Sequence, residues 1–505
     1  MKHFSKIVIA TVMIISLLAL SACGGGSNGG SGEVKDTFVF GLSQELTDLD
    51  PHQETDAATR SILFNVFEGL VKATPEGDVT PAVAEDYDVS NDATVYTFNL
   101  RDGITFHDGN PVTAEDVKYS LERSREINGE ASPLNAISDI SIPDEDTIVI
   151  TLDKGNSEFI YNLTCAILEK ANDADQQTAP AGTGPFSIVE LREGEYLDLA
   201  KYDGYWNAEE LGDYVSNVRV KFIASAQDAY VELQGHSIDA LQYLTADQID
   251  GLGDDYNIVE ATMMLVHGMF INNQYEPLKD VRVRQALNYA VNRDEINQQL
   301  FGGKSPEIQT HGYPTITAWY NADTEGTYTY DPDKAMELLK EAGYENGFDL
   351  VITVPKNFTQ HVDTAVLIKE QLAKVGINAS VNEVEWNTWL SDVYQGRDYQ
   401  ATVIGFDISS LSPATWYVRY YSTSSNDMTN FSNAEYDAAY DQAVASIDHE
   451  EKFQLYGKLQ QILAEEGASV FIEDPADFVA VSADFTGYTP YPVSAVDFSL
   501  IKPAQ

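Results

Sequence analysis

The strongest constraint on this chain lies in its first twenty-three residues. Lys2, His3 and Lys6 form a short basic start, and Ile7 to Leu18 (IVIATVMIISLL) is an apolar run broken only by Thr11 and Ser16. That run is too short to cross a bilayer comfortably and is followed by small residues, the pattern of an export signal that is removed. Leu20-Ser21-Ala22-Cys23 reads as a bacterial lipobox, which makes Cys23 the lipidated residue and the mature N-terminus. The competing readings are a retained transmembrane anchor and a cleaved signal with an incidental cysteine. A lipobox puts the folded body at the extracytoplasmic face of the cell membrane, at the cell surface or in the periplasm according to the envelope. ATP- and NAD-dependent chemistry is disfavoured there.

The residues after the signal suit that location. Gly24 to Gly32 (GGGSNGGSG) is a flexible tether, with a root-mean-square span of roughly 15–18 Å for a random coil of its length. Two or three acyl chains would hold the body stably, whereas one would be marginal. The chain has 505 residues, enough for two or three domains, with 43% hydrophobic and 22% charged residues, as in soluble globular proteins. Without Lys2 and Lys6 the body carries 80 acidic side chains against 28 basic ones. Such a field opposes nucleic acid and anionic headgroups, serves solubility, and attracts cationic ligands. No second long apolar segment exists, so membrane contact is expected through the lipid anchor only, and a monomer is expected. With Cys23 acylated, Cys165 stands alone in an apolar stretch and reads as a small core hydrophobe.

The body alternates strands and helices without a repeat. Phe38-Val39-Phe40, Thr147–Leu152, Val266–Ile271, Leu350–Val354 and Ala401–Ile404 read as strands. The apolar stripe Ile62, Leu63, Val66, Phe67 and Leu70 predicts a helix over Ala57–Leu70. Thr113 to Asp116 forms a near capping box, and Asp331-Pro332 caps a helix that Gly343 ends. Helices are also expected at Val281–Val291, His361–Val375, Ala434–Ser446 and Glu451–Glu466, with Val470–Ile472 the last strand before a proline-containing tail. This interleaving argues an α/β architecture.

Enzymatic signatures are missing. There is no Gly-x-Ser-x-Gly elbow or His-Glu-x-x-His helix, and Gly182-Thr183-Gly184-Pro185 lacks the rest of a nucleotide loop. The body's seven histidines lie scattered, none paired with another at metal-ligand spacing. No catalytic residue, metal site or cofactor is expected. Several long stretches instead resemble the dipeptide/oligopeptide-binding lipoproteins of ABC importers, the family 5 solute-binding proteins. They are Leu100–Arg123 (LRDGITFHDGNPVTAEDVKYSLER), Gly182–Trp206 (GTGPFSIVELREGEYLDLAKYDGYW), Asp280–Ile296 (DVRVRQALNYAVNRDEI), Leu49–His52, Phe67–Leu70 and Lys334–Tyr344. The resemblance covers about residues 37 to 500. Most of these stretches have scaffold roles: Gly182 and Gly184 suit a tight crossing between domains with Pro185 fixing the exit, and Arg282 and Arg284 suit surface or interdomain ion pairs.

The resemblance implies a large α/β, bilobal, type II-like clamshell with an inserted subdomain. Lobe I would be 33–262 plus 478–505, with 71–179 inserted, and lobe II 263–477, hinged at two crossings. It implies capture of a peptide or other small solute by hinge closure and delivery to the transmembrane subunits of an ABC permease. Other readings of the same chain are a nickel chelate, a glycan fragment or another solute as ligand, a pheromone receptor, or a surface hydrolase. Peptide-binding relatives carry a carboxylate for the ligand's α-ammonium in the loop that is here Gly405–Tyr421 (GFDISSLSPATWYVRYY). Asp407, after Phe406, is its only acid, while the aligned position falls at Ser409. Either Asp407 serves through a shifted loop, or no ammonium anchor is needed. For the ligand carboxylate, Lys356-Asn357 stand where relatives place an arginine, and lysine offers a point charge in place of a fork. Arg419 is a second candidate, or else a surface or interlobe ion pair. Trp386, Trp389, Trp416 and Tyr417 are candidate pocket aromatics, with core packing as the alternative. Glu54-Thr55-Asp56 sits where relatives present main chain to the ligand, and also suits an N-cap loop.

Overall fold

The computed structural model describes residues 35–46, 48–54, 56–408 and 410–504. The signal, Cys23 and the tether, together with Thr55 and Ser409, lie outside the described residues. No helix among the described residues is long and apolar enough to cross a membrane.

Three sheets organise the body. A seven-stranded mixed sheet has the order Tyr256–Thr262, Ala476–Ser482, Ala240–Leu244, Thr37–Leu42, Asn217–Phe222, Tyr196–Lys201, Phe186–Arg192. A five-stranded sheet has the order Asn378–Val384, Asp349–Pro355, Ala401–Asp407, Leu265–Ile271, Ser469–Glu473. A four-stranded antiparallel sheet is built from Ala84–Val89, Val95–Leu100, Thr147–Leu152 and Ile137–Ser141. Alternation explains Val95–Leu100, whose Tyr96 and Phe98 are fully buried while their neighbours face outward. Helices against the five-stranded sheet end as the sequence signals, at Gly343 and Gly376, both with positive φ. The capping box at Thr113 is complete, because the Asp116 side chain accepts from the Thr113 backbone N–H.

Two sequence expectations give way to tertiary structure. The helix expected over Ala57–Leu70 spans only Ala57–Leu63. Its continuation fails because the carbonyls of Asn65 and Val66 are taken by the N–H groups of Phe186 and Gly184, each at 3.0 Å. The Asn65 side chain also donates to Val496 O at 2.6 Å and accepts from Phe498 N at 2.8 Å. A Cβ on Gly182 or Gly184 would lie 1.9 or 2.4 Å from those carbonyl oxygens, so only glycine admits the contact. The second miss is Ala476–Ser482, assigned to the tail but forming an inner strand of the seven-stranded sheet. It is buried on both faces and has no alternation to read. Arg284 differs as well. It is buried and bonds to Leu278 O, Lys279 O and the Glu466 carboxylate, all within the five-stranded body, whereas Arg282 pairs with Asp280 at the surface.

The chain crosses between the seven- and five-stranded sheets at Met263-Met264 and at Asp474-Pro475. The second crossing therefore falls before the expected boundary at 477. Asp474 is fully buried and links both crossings, accepting from Thr262 Oγ1 at 2.7 Å and Leu265 N at 2.9 Å. The four-stranded segment packs on both bodies. Arg123 pairs with Asp50 at 2.5 Å on the seven-stranded side. On the other side buried Glu158 pairs with buried Lys452 and accepts from Ser412 Oγ at 2.9 Å and Tyr456 OH at 3.1 Å. One continuous apolar core runs from Leu70 and Phe98 to Trp319, Tyr456 and Phe471.

Lys452→Met leaves Glu158 buried without its cation, and urea unfolding should show a loss of about 3–5 kcal/mol. Adding Glu158→Gln should recover most of that loss. A second measurement concerns Asp474, whose pKa burial pushes up to about 7. A carboxyl raised in the folded state stabilises fully below its unfolded pKa and loses that contribution as pH rises through the folded one. Thermal melts should therefore show Asp474→Asn gaining on the parent protein as pH rises from about 4 to about 7, with no further gain above that range.

Candidate functional site

A cavity opens where the two crossings meet the ends of the sheets. Its floor is Thr262, Met263 and Met264; Asp407 and Ile408 stand on one side, and Tyr243, Asp477, Tyr488 and Tyr491 on the other. Ala57 and Ser61 of the short helix also reach it. Asp407 closes the strand Ala401–Asp407 opposite Leu265, and the next residue, Ile408, donates its N–H to Met264 O at 3.2 Å. These bonds hold Asp407, exposed, at the carboxyl end of its strand, beside the first crossing. Asp477 is buried, accepts from Phe478 N at 2.9 Å, and is pushed up to about 7 by desolvation. Among the described residues, no lysine, arginine or histidine lines the cavity. The site is thus a polar-apolar cleft with two carboxyls and no positive charge.

Beyond Asp407 the five-stranded body presents an aromatic ladder. Phe358, 40% exposed, meets Trp386 edge-on at 5.4 Å. Trp386 stacks on Trp389 at 5.2 Å with 8° between planes, and Trp389 stacks on Tyr394 at 5.9 Å. Tyr394 approaches Phe406 at 6.5 Å. Arg419 lies 4.4 Å over the Phe406 ring and donates to Tyr394 OH at 3.2 Å. No ion pair of Arg419 occurs among the described residues, so neither a surface nor an interlobe salt bridge accounts for it; the ladder does. Trp389 itself is 2% exposed, with its indole N–H on Thr402 Oγ1 at 2.9 Å, so it backs the ladder while Trp386 and Phe358 form its accessible end.

The remaining candidates sit elsewhere. Lys356 is exposed and paired with Glu385 at 2.5 Å, and Asn357 is exposed beside it. Trp416 is buried, donates to Ser410 O at 2.7 Å and meets Tyr313 edge-on. Tyr417 is fully buried and stacks on Tyr456. Both belong to the core and not to the cavity wall. Glu54 is held by Arg60 at 2.8 Å, and Asp56 caps the short helix through Thr59 N at 2.8 Å. Cys165 is half-buried with its sulfur 3.6 Å from His52 Nε2, and burial pushes the thiol up to about 11, which leaves it unreactive.

Sequence reading misses Tyr243, Phe358, Tyr394 and Asp477. Phe358 was reachable, since it follows Lys356-Asn357 directly. Tyr243 reads as the end of a strand, and nothing in its neighbours marks it as special. Folding also pairs two histidines that lie far apart in sequence. His267 and His361 approach to 3.2 Å and are both pushed down to about 3, chiefly by burial. His267 also meets Glu473 at 3.4 Å. These rings are neutral structural partners in the core beneath Phe358.

Comparison with known proteins fits this geometry. The model for bacterial extracellular solute-binding proteins, family 5 Middle, matches residues 78–428. The dipeptide-binding protein of Escherichia coli (strain K12) is 26% identical over 467 residues, covering 84% of this chain and 86% of that protein. Heme-binding protein A of Haemophilus influenzae is 26% identical over 459 residues, 82% of each. Among solved structures, the unliganded open form of a periplasmic murein tripeptide binding protein superposes with a TM-score of 0.86 at 20% identity, covering 93% of this chain and 97% of that one. The chain belongs to the bacterial extracellular solute-binding proteins of family 5, non-enzymatic extracytoplasmic components of ABC importers.

Proposed function

We propose that this protein captures peptides with a free N-terminus between its seven-stranded and five-stranded bodies and delivers them to the permease of an ABC importer. The observation that carries this reading is Asp407. It is an exposed carboxyl at the end of a strand, without a cation of its own among the described residues, in a cavity that no basic side chain lines. A buried ammonium needs such a partner, and a charge-assisted bond of this kind contributes about 1.5–3 kcal/mol. An extended ligand bound through its main chain leaves its side chains to roomy pockets. The Phe358–Trp386 end of the ladder supplies an apolar wall for one of them. Lys356 reaches a ligand carboxylate only by leaving Glu385, an exchange between exposed groups that costs little.

Closure would rest on the two short crossings, and it favours ligand capture only when the ligand prefers the closed arrangement by several kcal/mol. In this reading the acyl chains on Cys23 hold the whole device at the membrane, with the glycine-rich tether giving it reach to the permease.

Calorimetry with a panel of di- and tripeptides tests the reading. Asp407→Asn should weaken peptides with a free N-terminus by roughly 10- to 100-fold, and N-acetylated versions by less than about twofold. Equal losses for both sets would remove the ammonium role, and silence from every peptide would remove the peptide. The anchor is tested separately by fractionation: Cys23→Ala should leave the protein unprocessed or release it from the membrane. Membrane retention of a fully processed Cys23→Ala protein would contradict lipidation.

A further inference from the structure

The wall of the cavity opposite Asp407 holds Tyr243 in a costly conformation. Strand Ala240–Leu244 slips register against Ala476–Ser482 between Leu241 and Leu244, which bulges Gln242 and Tyr243 out of the ladder. Tyr243 takes φ +62°, a left-handed conformation that a bulky side chain adopts only under compulsion, and Met264 in the floor takes φ +54°. Such strain persists only where surrounding structure over-determines it. Gln242 does so here, donating to Tyr488 OH at 2.7 Å.

The effect of the bulge is to stand a phenol ring in the open cleft. Tyr243 is 72% exposed, the most exposed large hydrophobic side chain among the described residues. Protein nevertheless surrounds it closely enough that its hydroxyl pKa is raised, first by desolvation and then by the charge of Asp477. Around it lie Met263, 45% exposed, and the rings of Tyr488 and Tyr491. Aromatic faces and thioethers that share one lining with two carboxyls favour a cation. Nothing in the lining repels one.

We propose that Tyr243 covers a cationic side chain of the ligand, seated between its ring and Asp477 while Asp407 holds the ligand's ammonium, so that the preferred cargo is a peptide whose first residue is lysine or arginine. This rests on the peptide reading above and adds to it the identity of the first side chain. One carboxyl serves the main-chain charge and the other the side-chain charge. Without a ligand Asp477 is sheltered by burial and by the Phe478 N–H.

Calorimetry with Lys-Ala-Ala, norleucyl-Ala-Ala and Ala-Ala-Ala tests it, because norleucine keeps the lysine stem and drops the charge. The intact protein should bind the lysyl peptide about tenfold more tightly than the norleucyl one. Tyr243→Ala and Asp477→Asn should each bring that ratio close to one, with Ala-Ala-Ala little affected, and Tyr243→Phe should keep it. Tyr243→Gly relieves the left-handed strain, so its thermal midpoint should hold or rise while the lysine preference disappears. This separates loss of the ring from loss of the fold. Equal binding of lysyl and norleucyl peptides, or a preference that survives Tyr243→Ala or Asp477→Asn, overturns the proposal and leaves the peptide reading standing. Failure of all three to bind while other peptides of the panel bind overturns this proposal alone, and silence from every peptide defeats both.

Discussion

Two crossings, each only two residues long, join the seven-stranded and five-stranded bodies, and a buried carboxyl on one of them bonds to both ends of the other. Asp474 lies on the second crossing and accepts hydrogen bonds from both sides of the first, at Thr262 and Leu265. A backbone bond from Met263 N to Pro475 O at 2.8 Å joins the same two crossings. With it, Met263 and Met264 are pinned, Ile408 bonds back to Met264, and Asp407 inherits its place from that bond. The geometry of the cavity is thus set at the crossings, and the large sheets serve to aim the crossings at one another. Burying an acid there is costly. Its bonds from the Thr262 hydroxyl and the Leu265 N–H offset part of that cost by favouring the charged carboxylate, while burial favours the neutral acid and prevails.

The same economy of charge marks the cavity. The chain is strongly acidic overall, yet acidity alone says little about a ligand, since most of those carboxylates serve solubility. What distinguishes Asp407 and Asp477 is company. Some carboxylates elsewhere hold a cation, as Asp50 does in Arg123 and Glu158 in Lys452. Among the described residues that line the cleft none is basic, and tyrosines and methionines are among the neighbours. Arg419, the nearest candidate cation of the sequence reading, is occupied on the Phe406 ring and the Tyr394 hydroxyl.

Local signals in the sequence carried far. Caps at Thr113 and Asp331, glycine stops at Gly343 and Gly376, and alternation at Tyr96 and Phe98 all encode their structure within a few residues, and the family stretches identified the scaffold. The misses share one cause, which is information supplied from far along the chain. The helix after Ala57 stops at Leu63 because Gly184 and Phe186 claim its next carbonyls. The strand Ala476–Ser482 is buried on both faces and so loses the alternation that would announce it. Tyr243 looks like an ordinary strand residue until its partner strand slips register. Trp416 and Tyr417 looked like pocket aromatics because composition cannot distinguish a ring facing a cleft from one facing a core. The candidate site was legible at Asp407 and Trp386, which sit on strand ends and helix starts, and illegible where the fold bends the backbone against its preference.

The four-stranded segment has a mechanical consequence. Its chain leaves and re-enters the seven-stranded body at adjacent points, where Val66 and Gly184 are one hydrogen bond apart. Its apolar interior, however, is continuous with that of the five-stranded body and is locked there by Glu158 and Lys452. A piece rooted in one half and embedded in the other is a strut lying across both. In the closure proposed above, the halves could approach only as far as this strut flexes at its roots, so a stiffer or looser neck would change capture without altering any residue of the cavity lining.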